Sequence, residues 1–263
     1  MPRIDLHTHS NRSDGTFEPA EVVRLAAERA RDVVALTDHV TTDGLAEALA
    51  TGSVVGVEVV PGVEFSAEFE GNSVHVLCYW MDPRDAALQL ELRRLREDRF
   101  RRGELMVGKL QDLGLPVEFQ RVRAIAGDAT IVRPHIAQAM VEAGVVATEK
   151  EACERDIGDG GPARVATDAL ARAAVALIDG AGGVCALAHP GMWGDQSSVP
   201  VELIERMAAA GMRGLEVDHP DHTPEMREHY RTLAGELGLI ATGGSDCHGT
   251  RYDPVRLATS LGE

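Results

Sequence analysis

The four cysteines of this 263-residue chain, Cys78, Cys153, Cys185 and Cys247, are scattered with no CxxC spacing among them. That excludes a zinc ribbon and leaves no disulfide framework, so buried free thiols in a reducing compartment are the expectation. Long apolar stretches are also missing: runs such as 173–178 fall far short of the roughly 20 residues that cross a bilayer. Met1 runs straight into a strand pattern with no basic n-region, apolar h-region or transit peptide. A cytoplasmic location and no membrane partner are therefore expected. Positive charge is scarce. The net charge of −16 argues against a long nucleic-acid duplex as partner, because phosphate binding needs a basic face. The deficit is uneven, with 14 basic and 14 acidic residues in 90–175 against 12 and 28 elsewhere. Most of the acidic excess reads as solvated surface. There is no internal repeat and no low-complexity linker.

At 44% hydrophobic content the chain suits one large domain or a barrel with an insertion. Strand and helix patterns alternate at first: strand near 3–6, helix near 18–31, strand near 33–37, then strands near 57–63 and 74–79. From Pro83 to about Gly180 the pattern is helical. A long amphipathic helix mixes Arg93, Arg94, Arg96, Arg99, Arg101 and Arg102 with Leu92, Leu95, Phe100 and Leu105, and Gly114-Leu115-Pro116 stops it. Helices near 134–143 and 148–156 and a loop at 158–162 follow. Alternation resumes with helix 166–181, strand 183–188, helix 200–210, strand 213–217, helix 224–237 and strand 239–242. The simplest architecture is α/β: one parallel barrel of seven strands, 1–85 and 166–263, with a helical insertion at 86–165 that forms a lid.

The apolar runs repeatedly end in polar residues able to bind metal. Ile4-Asp5-Leu6 leads to His7 and His9; Val33–Leu36 to Asp38 and His39; Val59–Val63 to Glu64; Val74 to His75; Val184–Ala188 to His189; and Ile240–Gly243 to Asp246 and His248. His7 and His9, two apart on a strand, share a face. Any one such histidine reads as a satisfied polar group, and Glu64 leaving a buried strand must be paired or ligated. Their recurrence at successive strand ends is how a β/α barrel builds a site, and together they point to a metal centre. The donors are imidazole and carboxylate without thiolate, which suits Mn²⁺, Fe²⁺ or Zn²⁺. They are too many for one ion; three divalent ions sharing a bridging carboxylate would use them.

In Asp5-Leu6-His7-Thr8-His9-Ser10, Ser13-Asp14-Gly15-Thr16, Thr37-Asp38-His39, Gly62-Val63-Glu64-Phe65-Ser66, Ala188-His189-Pro190 and Gly244-Ser245-Asp246-Cys247-His248, the chain resembles the PHP (polymerase and histidinol phosphatase) superfamily. The resemblance implies a distorted (β/α)₇ barrel with a trinuclear site. One ion would be held by His7, His9, Glu64 and Asp246, a second by Glu64, His75 and His189, a third by Asp14, His39 and His248. Mn²⁺ is the expected metal. Within the superfamily, the helical insertion with Arg99 and Arg102, followed by Arg133-Pro134-His135, resembles the branch of nucleoside-3′,5′-bisphosphate phosphatases and 5′→3′ exoribonucleases. Three positions depart from that branch: Val40 replaces an acidic residue, Ala30-Arg31-Asp32 replaces a Gly-containing turn, and Arg164 replaces an aromatic.

The expected activity is metal-dependent hydrolysis of a phosphate monoester on a small nucleotide, most simply adenosine 3′,5′-bisphosphate, by in-line attack of a hydroxide activated at the centre. His189 is a candidate proton donor to the leaving group. Asp38, with Asp5, is cast as a supporting catalytic group that orients histidine ligands. Arg133 and His135 are candidates for gripping the non-reacting phosphate, and His219, His222 and Arg164 for further substrate contact. Alternative substrates are a cyclic phosphate, histidinol phosphate or the 5′ end of a short RNA. A non-catalytic structural module is the reading from another class.

Overall fold

Short apolar strands followed by amphipathic helices dominate the computed structural model, which describes residues 2–69, 72–158, 160–167, 171–191, 198–251 and 256–257. In chain order the elements are β1 (Ile4–Asp5), α1 (Pro19–Glu28), β2 (Val33–Leu36), α2 (Leu45–Val55), β3 (Glu58–Phe69), β4 (Asn72–Tyr79), α3 (Ala86–Asp112), α4 (Phe119–Ala126), α5 (Arg133–Glu142), α6 (Glu149–Ala152), α7 (Ala171–Gly180), β5 (Val184–Leu187), α8 (Val201–Ala209), β6 (Gly214–Asp218), α9 (Pro224–Leu237) and β7 (Ile240–Gly243). The seven strands form one sheet in sequence order. It curls nearly shut: the Leu6 amide donates to Gly243 O at 3.0 Å, and Thr8 makes a parallel bridge to Cys247.

The sheet is not wholly parallel, as the sequence had suggested. β4 runs antiparallel to both β3 and β5. The reason lies in the connection. β3 continues to Phe69 and β4 starts at Asn72, a gap far too short for the crossover of a dozen or more residues that a parallel pair requires. Two helices also went unanticipated. In α2, Thr51-Gly52-Ser53 is a weak helix former, but Gly52 lets the helix lie on β3, since a Cβ there would meet Val57 O at 2.6 Å. The second is α4, whose buried face is only Val122 and Ala126. Residues 168–170 of the expected 166–181 helix, and residue 159 of the 158–162 loop, lie outside the described residues.

Period-two alternation sorts each strand's side chains. Outward, Val34, Leu36, Val63, Phe65, Ala67, Val76, Cys78, Leu187, Leu215 and Val217 pack with the surrounding helices. Inward, Ala35, Val60, Leu77, Tyr79, Ala186 and Ala188 fill one end of the barrel, where Tyr79 Oη donates to Leu6 O at 2.9 Å. On the same inward faces, toward the other end, come Glu64, His75 and Glu216. The pattern that closes the core thus also aims the polar groups.

At 27 residues, α3 is about 40 Å long. Its first half (Leu88, Leu92, Leu95) joins the barrel core. Its second half (Met106, Val107, Leu110) builds a separate core with Val122, Ile136, Met140 and Ile157. α3 also braces the turn after β2: Gln89 Nε2 donates to Thr42 Oγ1 at 2.8 Å, and Arg96 Nη1 to Val40 O at 3.1 Å. Val40 needs that support, being a β-branched residue at φ 55°.

The segment after β7 passes directly over His7. A Cβ on Gly244 would sit 2.1 Å from the His7 Cβ and 2.6 Å from its amide nitrogen, so this backbone approach has no room for a side chain. Gly244→Ala should lower the unfolding free energy of the metal-free protein by about 1–3 kcal/mol or more, read as a reduced urea midpoint. An unchanged midpoint would mean the two segments are not packed this closely.

Candidate metal centre

The inward and strand-end residues meet at one buried cluster around Glu64. Its carboxylate is 1% exposed and faces five imidazoles: His75 Nδ1 at 2.8 Å, His9 Nε2 and His39 Nδ1 at 3.2 Å, and His7 Nε2 and His189 Nε2 at 3.4 Å. β3 supplies Glu64 and β4 supplies His75, while the segments after β1, β2 and β5 supply the rest. Asp246 and His248 come from the segment after β7, with Cys247 between them turned into the outer core. Asp14 arrives on the loop before α1.

Four overlapping donor groups result among the described residues. His7 Nε2 and His9 Nε2 lie 3.1 Å apart, and each is 3.2 Å from Asp246 Oδ1. These three atoms are spaced as an ion would space them: ligand bonds of about 2.1 Å put neighbouring donors roughly 3.0–3.4 Å apart, from right-angled to tetrahedral geometry. Glu64 takes part in two further groups, one with His7 and His189 and one with His39 and His75. Asp14 gathers the last, at 3.3 Å from His248 Nε2, 3.9 Å from His39 Nε2 and 4.0 Å from His9 Nδ1. Groups of these residues could each hold an ion. Several of the converging atoms, His9 Nδ1, His39 Nδ1, His75 Nδ1 and Glu64 Oε1, are buried without a hydrogen-bond partner. Buried polar atoms are rarely left so, and here they are the atoms that would coordinate metal. The residues fit divalent ions.

The electrostatics of the cluster follow from its crowding of buried carboxylates and imidazoles. Burial alone would raise the Glu64 pKa, yet His39, His75 and His7 around it, with a hydrogen bond from His189, hold it well below the usual carboxylate range. Asp14 is likewise held down, against its burial, by His248, His39 and His9. Burial disfavours charge on His9, but its contacts with Asp246 and Glu64 win and lift its pKa to about 10. His39 and His75 go the other way, with burial pushing both below the ordinary imidazole value.

A buried carboxylate that carried no assigned role in the sequence reading orders this cluster. Glu216, 1% exposed on β6, takes the His7 Nδ1 at 3.1 Å on Oε1 and the His189 amide at 2.7 Å on Oε2. It thereby fixes the His7 tautomer, leaving Nε2 free for an ion, and pins a residue held at φ 25°. The alternation of Gly214-Leu215-Glu216-Val217 was the signal, since it faces Glu216 inward.

The supporting residues named from sequence divide. Asp38 does not orient an imidazole: it accepts from the Ser10 amide (2.8 Å), Ser10 Oγ (2.6 Å) and Ser13 Oγ (2.7 Å), and so shapes the loop carrying Asp14. Asp5 accepts from the Ser245 and His7 amides. His219 is fully buried, with Nδ1 accepting the Asp221 amide and Nε2 3.6 Å from Asp246 Oδ2. Both nitrogens of His222 are engaged by backbone: Nδ1 donates to Val217 O at 2.9 Å, and Nε2 accepts from the Gly191 amide at 3.1 Å. It ties the end of β6 to the turn after His189.

Arg133 and His135 face different spaces. Arg133 and Arg164 line a cavity beside Ser66 with Arg99 and Arg102 from α3. His135 is buried, with Nδ1 accepting the Val132 amide, and it borders a separate open cleft near Asn11, Ser13 and Arg251.

Against known proteins, residues 5–104 match the PHP domain. A 3′,5′-nucleoside bisphosphate phosphatase of Chromobacterium violaceum is 36% identical over 94% of this chain and 88% of its own. The chain belongs to the PHP family. A 5′-3′ exoribonuclease of Haemophilus influenzae is 33% identical over 94% of this chain and 90% of its own. A structure from Bifidobacterium adolescentis, assigned as a metal-dependent phosphoesterase, superposes with a TM-score of 0.89 at 34% identity, covering 99% of this chain and 92% of that one. This PHP protein is thus a metal-dependent phosphoesterase, a hydrolase of phosphoric esters. Among the described residues no helix is long and apolar enough to cross a membrane.

Replacing Glu216 by Ala should weaken metal binding about 10–100-fold, the usual cost of losing a carboxylate that orients a ligand; titration with Mn²⁺ followed by calorimetry reads this, and wild-type affinity would refute the role. His222 offers a pH test. Burial lowers its folded pKa to about 4, so between the unfolded value near 6.5 and about 4 the unfolded chain binds the extra proton. Stability should fall as pH drops through that window. Urea midpoints of the metal-free protein should decline less steeply there in His222→Gln than in wild type.

Proposed function

We propose that this phosphoesterase removes one phosphate from a nucleoside 3′,5′-bisphosphate, such as adenosine 3′,5′-bisphosphate, giving the nucleoside monophosphate and inorganic phosphate. The observation that carries this reading is the cavity in which Arg99, Arg102, Arg133 and Arg164 gather beside Ser66, two residues along β3 from Glu64. A reacting phosphate at the metal-ligand cluster would leave a second one facing these guanidinium groups, whose planar donors suit phosphate oxygens. The insertion, residues 86–165, supplies all four arginines and acts as the lid. The similarity to the Chromobacterium violaceum bisphosphate phosphatase supports the same substrate class.

We assign the ligands, all from residues of this cluster, in three sets: His7, His9, Glu64 and Asp246; Glu64, His75 and His189; Asp14, His39 and His248. Three divalent ions, Mn²⁺ by preference, would supply an activated water and charge to clamp the phosphoryl oxygens. Glu64 holds its carboxylate between the first two sets, and Glu216 keeps His7 in the ligating tautomer. His189 Nε2, on the Glu64 side, stands where it can ligate or pass a proton to a leaving alkoxide. Free, mostly buried cysteines suit a reducing, cytoplasmic location.

A second reading, cleavage at the 5′ end of a short RNA, is favoured by the open cleft bordered by Arg12, Arg121, His135 and Arg251. That cleft gives a longer strand somewhere to lie, and the Haemophilus influenzae exoribonuclease is a relative.

With Mn²⁺ present, phosphate release from adenosine 3′,5′-bisphosphate should exceed that from histidinol phosphate and a ribose cyclic phosphate. Arg133→Ala should raise KM for the bisphosphate by about 10-fold or more, as expected for a hydrogen bond to a charged group, and much less for adenosine 3′-monophosphate. Equal effects on both would remove Arg133 from phosphate binding, and faster turnover of a short RNA would favour the second reading.

A further inference from the structure

Ser66 joins the arginine-lined cavity to the metal-ligand cluster, and its hydrogen bonds have a definite direction. Ser66 and His75 are register partners on β3 and β4, with Ser66 Oγ 3.0 Å from His75 Nε2. Arg99 Nη2 donates to the same oxygen at 2.7 Å. On the far side of the ring, His75 Nδ1 lies 2.8 Å from Glu64 Oε1, buried and without a hydrogen-bond partner. Arg99, Ser66, His75 and Glu64 thus form a continuous chain from the insertion helix to the carboxylate at the heart of the cluster.

The polarity of this chain follows from what each group can do. Guanidinium N–H groups only donate. A neutral imidazole whose Nδ1 lone pair is committed to an ion carries its one proton on Nε2, so Nε2 also donates to Ser66. A hydroxyl has two acceptor lone pairs and one proton. Both lone pairs of Ser66 Oγ are then taken, and its own proton can only be given away. Among the described residues the hydroxyl has no protein acceptor besides His75, and Ser66 lines the cavity with Arg99, Arg133 and Arg164.

We propose that Ser66 is a specificity-determining residue: its hydroxyl donates to an anionic oxygen of the substrate phosphate that is not hydrolysed, and His75 and Arg99 force it into that donor-only role. The subsite then accepts a phosphate oxygen and rejects a group that can only donate, such as an ammonium. His75, as a ligand, also makes the subsite's polarity depend on the filled metal site. This inference rests on the bisphosphate reading above for the identity of the second phosphate.

Adenosine 5′-monophosphate carries only the phosphate that is kept, so its binding to the Mn²⁺-loaded protein reads this subsite without any chemistry. By calorimetry, wild type should bind it far more tightly than adenosine. Ser66→Ala should weaken its affinity about 10-fold or more while adenosine binding and metal content stay at wild-type levels, and Ser66→Thr, which keeps the hydroxyl, should restore it. In turnover of the bisphosphate, Ser66→Ala should raise KM more than it lowers kcat. If wild type does not prefer the monophosphate to adenosine, the bisphosphate reading falls and this inference with it. If wild type has that preference and Ser66→Ala keeps it, the reading stands and the role of Ser66 is overturned. Loss of metal from Ser66→Ala would make Ser66 a support for His75 alone, which also overturns the proposal.

Discussion

Glu64 sets the terms for the rest of the molecule. A carboxylate at 1% exposure has no water to stabilise it, and burying such a charge is costly unless it is paired or coordinates metal. Its compensation comes from His7, His9, His39, His75 and His189, which belong to segments spread over most of the chain. No flat sheet brings those segments together. The strands must curl until the segment after β1 meets the one after β7, as the Leu6–Gly243 and Thr8–Cys247 links show. The antiparallel β4 belongs to the same solution: it places His75 directly across from Ser66, within reach of the carboxylate.

Three of the five non-glycine residues with positive φ among those described lie at the same place. Val40, His189 and Asp246 have positive φ, each where the chain leaves a strand in or next to a donor residue. Such conformations persist only where the surroundings over-determine them. Here the surroundings are specific: Arg96 on the Val40 carbonyl, Glu216 on the His189 amide, and His222 holding Gly191 to Val217. Asp38 and Asp5 do comparable service for the Ser10–Asp14 loop and the Ser245 turn. The histidines and carboxylates that could bind metal are therefore held by others that bind backbone, hydroxyls and, at Glu216, the far nitrogen of His7. Residue type alone does not separate the two groups.

The charge of the protein is arranged as unevenly in space as along the chain. A net charge of −16 repels anionic substrates from most of the surface, whereas the cavity beside the cluster collects arginines from α3, α5 and the 161–165 segment. Burial draws the Arg99 pKa down to about 10, which leaves it charged at neutral pH. A local positive field within a negative envelope favours a small, multiply charged ester over a long polyanion.

The barrel strands, the helical run between β4 and β5 and the polar residues at the strand ends were legible in the sequence, because burial imposes a period of two on a strand and leaves a polar residue conspicuous where an apolar run stops. The motifs around His7, Glu64, His189 and Asp246 carried enough chemistry to indicate metal and phosphate. The sequence could not say which way β4 runs, because direction depends on the partners a strand finds. Nor could it separate Arg133 from His135, two residues apart in the first turn of α5 yet opening on different spaces, or distinguish Asp38, which shapes a loop, from Glu216, which orients His7. Those roles depend on distances between residues as far apart as 7 and 216. The sequence alone determined which chemical groups the protein has to work with; the tertiary structure decided which of them meet, because only the closed sheet brings their side chains within about 3 Å of one another.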